Sequence, residues 1–88
     1  MDFRWNKDNI EHVATHGVSP EEAEWVVGNA RSPYPREIGD GKYWVCGRGR
    51  GGRLLQVIYL VDEDGTIYVI HARLLSDKEK HRWRRTAR

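Results

Sequence analysis

The hydrophobic positions change their period along the chain, from a helical spacing near the start to a strand-like spacing in the middle. Ile10, Val13 and Ala14 follow the i, i+3, i+4 pattern of a helix that buries one face. Asn6 precedes this segment and is a suitable N-cap, while Gly17 follows it and is a typical helix terminator. The pattern therefore predicts a first helix between these two residues, with the three apolar side chains in the core.

The next segment carries the strongest helix-start signal in the sequence. Ser19 is a suitable N-cap, Pro20 fits the first helical position, and Glu22 completes the spacing of a capping box. These residues predict a second helix that ends near Gly28 and Asn29. Its buried face is expected to contain Ala23, Val26, Val27 and Ala30.

The middle of the chain is rich in β-branched and aromatic residues and is interrupted by glycines, a pattern typical of short strands. Asp64 and Gly65 are the clearest hairpin turn. Prolines at 33 and 35 allow the segment 34–38 to be at most an edge strand. The three main strands are predicted over residues 42–47, 53–61 and 66–73.

Ser76 precedes the last segment, and Glu79 repeats the capping-box spacing, which predicts a C-terminal helix. The predicted order is therefore two N-terminal helices, three or four strands and one helix. Strands joined by short loops run antiparallel, so the predicted class is α+β. This order excludes Rossmann and P-loop folds, which need parallel strands.

The chain of 88 residues, with 39% hydrophobic and 32% charged residues, has the size and composition of one globular domain, residues 1–88. Its longest nearly apolar run, residues 54–61, is far shorter than the about 20 residues that a membrane helix needs. Cys46 is the single cysteine, which excludes an internal disulfide and a cysteine-rich zinc site. We therefore expect a soluble, unprocessed protein in a reducing, cytoplasmic setting.

Charge is distributed unevenly although the net charge is only +2. Residues 1–30 contain two basic and six acidic residues, whereas residues 77–88 contain six basic and two acidic residues. Clustered lysines and arginines bind phosphates by releasing counterions, so the C-terminal segment indicates a polyanionic partner such as RNA. A basic helix that is merely solvated is the alternative.

The predicted third helix gathers its cations on one face. Lys78, His81, Arg82 and Arg85 follow the i, i+3, i+4, i+7 spacing, while Trp83 points elsewhere and can pin the helix to the sheet. Stacking of a nucleic-acid base on this tryptophan is a weaker possibility.

Arg73 ends the last predicted strand, next to the start of this helix. Its guanidinium can contact a phosphate held between strand and helix, or it can form a salt bridge with Glu79.

A second cationic segment joins two predicted strands. Arg48, Arg50 and Arg53 alternate with glycines, which allow backbone N–H groups and guanidinium groups to approach one phosphate. The segment lacks the Lys-Ser/Thr ending of a Walker motif. A plain hairpin loop with solvated arginines is the alternative.

The four histidines raise the question of a metal site. His12 and His16 have the i, i+4 spacing that can chelate zinc, but no glutamate follows His12 and no third ligand is evident. We therefore expect no metal and no cofactor. His16 is better placed to cap the first helix, and His71 lies on the last strand. Cys46 is expected to be a small core residue.

Several motifs in order resemble the BrnT-like toxins of bacterial type II toxin–antitoxin systems over nearly the whole chain. The sequence Trp5-Asn-x-x-Asn9-Ile-Glu-His-x-x-x-His-Gly-Val18 is followed by Ser19-Pro-Glu-Glu-Ala23. A Gly/Arg-rich middle then leads to Val69-Ile-x-Ala-Arg73, Lys78-Glu79 and a basic C-terminus. The chain departs from many members at Asn6, where they have Asp, and at His71, where they have Ser or Thr.

The resemblance implies a RelE-type fold and metal-independent cleavage of RNA by an endoribonuclease that inhibits translation. It also implies a DNA-binding antitoxin partner, for which a ribbon-helix-helix protein is suspected. Cleavage by the ribose 2′-OH requires a base, an acid and cations. Arg73 and Arg82 are the predicted phosphate clamp, and Lys78, His81 and His71 are candidate proton carriers. Glu79 is a possible base, although its capping role is the stronger interpretation.

Arg48, Arg50, Arg53 and Arg85 are the predicted RNA-binding residues. Two other classes stay open at this point. A nucleic-acid-binding module without catalysis needs only the basic helix face, and a protein-interaction domain would use the acidic helices and the aromatic residues instead.

Overall fold

In a computed structural model that describes residues 1–86, the chain forms two helices, four strands and a third helix. The helices are α1 (Lys7–Thr15), α2 (Pro20–Gly28) and α3 (Asp77–Thr86). The strands are β1 (Arg36–Gly39), β2 (Lys42–Arg48), β3 (Leu54–Val61) and β4 (Ile67–Leu74). The predicted α+β class and element order are confirmed. Arg88, part of the basic C-terminal segment, lies outside the described residues.

The four strands form one antiparallel sheet in the order β1-β2-β3-β4, so each strand pairs with its neighbour in the chain. The turn between β3 and β4 is at Asp64 and Gly65, where Gly65 has a φ of 87° that other residues rarely adopt. Val45 pairs with Val57, and Val57 pairs with Ala72, which places these three side chains on one face. That face carries the main core.

Helices α1 and α2 cover this face of the sheet. Both begin with the predicted N-caps, Asn6 and Ser19, and each has a complete capping box. Capping satisfies N–H groups that the first turn of a helix leaves without partners. The largest fully buried side chains of the core are Val13, Val26, Val45, Leu55, Val57 and Val69.

The buried face of α1 differs from the predicted one. Ile10 is 41% exposed and Ala14 is also exposed, whereas Asn9 and Val13 are buried. The prediction that Ile10 and Ala14 lie in the core was wrong because periodicity counts apolar residues only. A polar side chain that finds hydrogen-bond partners can occupy the core instead.

The side chain of Asn9 joins three segments of the chain. Its amide nitrogen donates to the carbonyl oxygens of Arg4 and Val69, both at 3.1 Å. Its oxygen accepts a hydrogen bond from the backbone N–H of Asn6 at 2.7 Å. Within residues 1–86, every fully buried side-chain nitrogen or oxygen has a hydrogen-bond partner. Asn9 therefore fixes α1 against β4 without leaving a polar group unpaired.

Strand β4 contains one extra residue opposite β3. The pairing with β3 runs from His71 directly to Val69 and skips Ile70, which forms a β-bulge. Val69 and Ala72 are consequently both buried in the main core, although they lie three residues apart. Strict alternation would place them on opposite faces. The bulge therefore changes which residues of β4 face the helices.

Helix α3 packs against the opposite face of the sheet. Trp83 contacts a small cluster of Cys46, Leu54 and Leu75, and its indole N–H donates to the carbonyl oxygen of Cys46 at 3.3 Å. The predicted role of this tryptophan as an anchor is confirmed. None of the three helices in residues 1–86 is long and apolar enough to cross a membrane.

Replacing Asn9 tests how much the fold depends on its amide. Asn9→Ala removes one buried side chain and leaves two carbonyl oxygens and one N–H without their partner. We expect a loss of at least about 2 kcal/mol in the free energy of unfolding, because each unsatisfied buried group costs about 1–3 kcal/mol. Urea denaturation measures it. Glu11→Ala, at an exposed residue of the same helix, should change stability by no more than about 0.5 kcal/mol, and equal losses in the two variants would contradict the proposed role.

Candidate functional site

The face of the sheet opposite α1 and α2 is only partly covered by α3, which leaves a cleft with a volume of about 220 Å³. We call it the α3 cleft. Its floor includes the side chains of Cys46 and Gln56, which pair across β2 and β3. Its remaining lining includes three aromatic residues, Tyr34, Trp44 and Trp83, and two arginines, Arg36 and Arg82. Aromatic walls with a few polar groups are typical of a ligand-binding site.

The aromatic walls of the α3 cleft are suited to flat ligands. The rings of Tyr34 and Trp44 lie edge to face, with centroids 5.4 Å apart and planes at 85°. The guanidinium carbon of Arg36 is 6.0 Å from the centre of the Trp44 ring. Aromatic faces next to guanidinium groups stack with nucleic-acid bases of any sequence. This part of the cleft depends on the segment before β1, to which the sequence analysis gave no functional role.

Arg73 and Glu79 form a two-pronged salt bridge at one end of the cleft. Both terminal nitrogens of Arg73 donate to the two carboxylate oxygens of Glu79 at 2.7 Å. Glu79 also accepts from the backbone N–H of Ser76 at 2.8 Å, as a capping box requires. The structure thus contains the salt bridge given above as the alternative to a phosphate contact by Arg73.

This salt bridge keeps Glu79 ionised down to low pH. The hydrogen bonds from Arg73 and from Ser76 lower the pKa of Glu79 to about 2. A carboxylate with so low a pKa is a poor proton acceptor near neutral pH. Of the two roles that the sequence allowed for Glu79, capping is therefore the one that its contacts support.

The outer face of α3 carries the predicted cations together. Lys78, His81, Arg82 and Arg85 line one shallow depression, beside Asp77. Arg82 also lines the α3 cleft, so its side chain lies at the boundary between the two surfaces. One elongated polyanion can therefore contact both surfaces through Arg82.

The three arginines of the β2–β3 loop have separate partners. Arg53 donates to the Glu22 carboxylate at 3.0 Å and to the Gly17 carbonyl at 2.7 Å, which ties the loop to α2. Arg48 donates to the Gly52 carbonyl at 2.9 Å within the loop. Arg50 lies 5.5 Å from the ring centre of Trp25. The loop therefore does not present the three guanidinium groups to one phosphate in this structure.

A further basic surface lies where the loop approaches α3. Arg48 lines a depression with two α3 residues, Lys80 and Arg84. These two residues were not among the predicted site residues. Their i, i+4 spacing was the available signal, since it places them on one helix face. Cations thus lie on more than one side of α3.

His71 lies away from the other candidate proton carriers, against α1. Its ring centre is 5.7 Å from that of His12 and 5.3 Å from that of His16. Burial lowers the pKa of His71, and the positive charges of the neighbouring histidines and of Arg73 lower it further. His71 therefore belongs to a cluster of histidines and not to the basic face of α3.

Cys46 is part of the cleft floor but is not a nucleophile. It is buried beside Leu54 and Leu75, as expected for a core residue. Burial raises the pKa of its thiol to about 11. Because the thiolate is the reactive form of cysteine, this thiol is inert near neutral pH.

The salt bridge of Glu79 predicts a pH-dependent stability. The folded-state pKa of about 2 lies below the ordinary value of 4.5, so the stabilisation is complete above pH 4.5 and is lost as the pH falls towards 2. Glu79→Gln should therefore lower the free energy of unfolding by about 1 kcal/mol at pH 7, a value reduced for partial solvent exposure. Parent and variant should converge near pH 2. Urea denaturation at several pH values tests this, with Glu63→Gln as the exposed control; a gap that is constant with pH would contradict it.

Comparisons of the chain with protein-family models, curated proteins and solved structures find no match. The resemblance described above therefore rests on sequence motifs alone. The function of the α3 cleft and of the adjoining basic face has to follow from their own geometry and chemistry.

Proposed function

We propose that the protein is an endoribonuclease of the toxin type, which cleaves RNA bound across the α3 cleft and the outer face of α3. The observation that carries this proposal is the position of Arg82. This residue lines both the aromatic cleft and the depression that contains Lys78 and His81. RNA needs the same combination, because its bases stack on aromatic rings and its phosphates bind cations.

In this proposal the α3 cleft binds a base. Tyr34 and Trp44 provide the aromatic surfaces, and the amide of Gln56 on the floor can form hydrogen bonds with a base edge. Single-stranded RNA is recognised mainly through such unstacked bases. A base held there leaves its own phosphate near the rim of the cleft.

Arg82 is the proposed phosphate clamp. In-line attack by a ribose 2′-OH forms a bond from its oxygen to phosphorus and breaks the bond to the 5′-oxygen of the next nucleotide, which leaves a 2′,3′-cyclic phosphate. The proton lost from the 2′-OH is balanced by one delivered to the leaving 5′-oxygen. Negative charge develops on the phosphate, and a guanidinium held in place by a helix can stabilise that charge. His81 is next to it in the chain and lines the same depression, so it is the proposed proton carrier. Imidazoles take up and release protons near neutral pH. Lys78 contributes further positive charge.

Arg73 and Glu79 are assigned a positioning role. Their salt bridge, together with the Ser76 cap, joins the first turn of α3 to the end of β4. Trp83 anchors the same helix to β2 through the carbonyl oxygen of Cys46. These contacts fix the direction of α3 and therefore the position of Arg82. Preorganised charge is what makes such a group effective in catalysis.

An antitoxin is the proposed protein partner. To inhibit cleavage it would cover the α3 cleft and the cations of the outer face. Complementary charge across an interface speeds association and fixes orientation, so an acidic segment is expected to bind there. A ribbon-helix-helix antitoxin with such a segment fits this requirement.

Arg82→Gln tests the proposed clamp. We expect cleavage of total RNA to fall by about 10²- to 10³-fold, as when one preorganised donor is removed from an active site. The melting temperature should not change, since Arg82 is exposed. Arg31→Gln removes the same charge at an exposed residue between α2 and β1 and should retain full activity. Growth inhibition on induction should follow the cleavage rates.

Two outcomes would contradict the proposed activity. If the parent protein leaves RNA intact but binds it in a salt-dependent manner, the chain is a nucleic-acid-binding module. If it neither cleaves nor binds RNA, the basic face serves a protein partner. Full cleavage by Arg82→Gln would remove this residue from the mechanism while leaving the ribonuclease activity established.

RNA binding predicts a specific response to salt. The logarithm of the binding constant should fall linearly with the logarithm of the salt concentration, with a slope of about −0.7 for each phosphate contacted on a single strand. Lys78→Gln should reduce the magnitude of this slope by about 0.7. Lys7→Gln, at an exposed lysine of α1, should leave it unchanged. Fluorescence anisotropy with a short single-stranded RNA measures both, and identical slopes would exclude a phosphate contact by Lys78.

A further inference from the structure

Three histidines from two distant segments of the chain meet beside α1. His12 lies in α1, His16 is the C-cap of that helix, and His71 comes from β4. The ring centres of His12 and His16 are 5.6 Å apart, and both lie at a similar distance from the ring of His71. One nitrogen atom from each ring can be chosen so that all three lie within 4.8 Å of one another. We call this group the histidine cluster.

The fold holds these residues together through contacts already described. His12 lies in the last turn of α1 and His16 is its C-cap, four residues later, and the two rings lie edge to face at the same end of the helix. Asn9 lies on the face of α1 that carries His12, three residues before it, and its amide binds the Val69 carbonyl of β4. His71 is two residues beyond Val69, next to the β-bulge. The helix and the strand are therefore held in register at the cluster.

From this geometry we propose that the histidine cluster binds a divalent transition-metal ion, with Zn²⁺ as the expected ion. Imidazole nitrogen is a preferred ligand of zinc, copper and nickel, whereas magnesium and calcium prefer oxygen. Three histidines with an open fourth position, taken by water, are a known ligand set for tetrahedral zinc. The cluster provides three such nitrogens and no competing carboxylate among the ligand atoms that converge there in residues 1–86.

The distances require only small side-chain movements. Zinc binds histidine nitrogen at about 2.0–2.1 Å, so three ligands in a tetrahedron lie about 3.4 Å from one another. The nitrogens, which lie within 4.8 Å of one another, must therefore approach by at most about 1.4 Å. His12 and His16 are exposed and can change rotamer without disturbing the core, while the half-buried His71 supplies a fixed point. The cluster is thus close to a binding geometry before any ion arrives.

A metal at this position would link α1 to β4. The two elements lie near opposite ends of the chain, and a link between them closes a long loop. An ion that binds only the folded protein also stabilises it by mass action. The site is separate from the α3 cleft, so its occupation is expected to change stability and not the chemistry proposed for Arg82. The proposed metal site can therefore be tested independently of ribonuclease activity.

Metal titration of the full chain without an affinity tag tests this proposal. Isothermal titration with Zn²⁺ should show one ion per chain, and Co²⁺ should give the intense visible absorption of a tetrahedral complex. His12→Gln, His16→Gln and His71→Gln should each weaken binding by more than about 100-fold, since loss of even an indirect partner of a ligand costs 10- to 100-fold. His81→Gln, outside the cluster, should bind like the parent. Zn²⁺ should raise the melting temperature of the parent and of His81→Gln only.

Three results would overturn the proposal. Parent-like Zn²⁺ binding by His71→Gln would show that His71 is not a ligand and that only His12 and His16 bind the ion. An equal loss in His81→Gln would place the ion elsewhere, and absence of binding at micromolar Zn²⁺ would leave only three packed imidazoles. Circular dichroism checks that each variant is folded. If His71→Gln does not fold, NMR of the parent replaces it as the test. Direct ligation by Zn²⁺ must shift the ring signals of His71, and unchanged signals would contradict the proposal.

Discussion

The buried amide of Asn9 is the interaction on which the arrangement of the N-terminal half depends. It satisfies the Arg4 carbonyl, the Val69 carbonyl and the N–H at the start of α1. Apolar contacts tolerate small shifts because they are not directional, but a buried amide loses its hydrogen bonds when its helix slides along a strand. Asn9 therefore selects one register of α1 on β4. That register places the main core beneath α1, and it also places His12 and the C-cap residue His16 beside His71.

The elements that the sequence predicted well are those with local causes. Ser19 and Ser76 cap their helices through residues three positions away, and Gly65 supplies the backbone conformation of a hairpin turn. The buried face of α1 could not be predicted in the same way. Whether Asn9 or Ile10 enters the core depends on a carbonyl group about sixty residues away in the chain, and no local pattern contains that information.

The candidate site also combines local features, which the sequence predicted, with features that depend on distant residues, which it did not. Helical spacing correctly placed Lys78, His81, Arg82 and Arg85 on one surface, because that spacing is a property of α3 alone. The α3 cleft depends on how β1, β2 and α3 are arranged together, so its aromatic walls were not predicted. The separation of His71 from the basic face of α3 could not be predicted from the sequence either. Arg73 had two possible partners there, and only the docking of α3 shows that Glu79 occupies its guanidinium.

The β-bulge at Ile70 affects two distant contacts of the sheet. It sets the position of His71 beside α1 and that of Arg73 beside Glu79 of α3. If Ile70 instead paired with Ile58 in a regular ladder, every later residue of β4 would move to the other face of the sheet. Ala72 would leave the core, and the guanidinium of Arg73 would turn from Glu79 towards apolar side chains, where an unpaired charge is costly. The same shift would move His71 relative to α1. A change that draws Ile70 into the ladder would thus disconnect α3 and dismantle the histidine cluster at once, whereas deletion of Ile70 would leave the residue pairs on both sides of it unchanged.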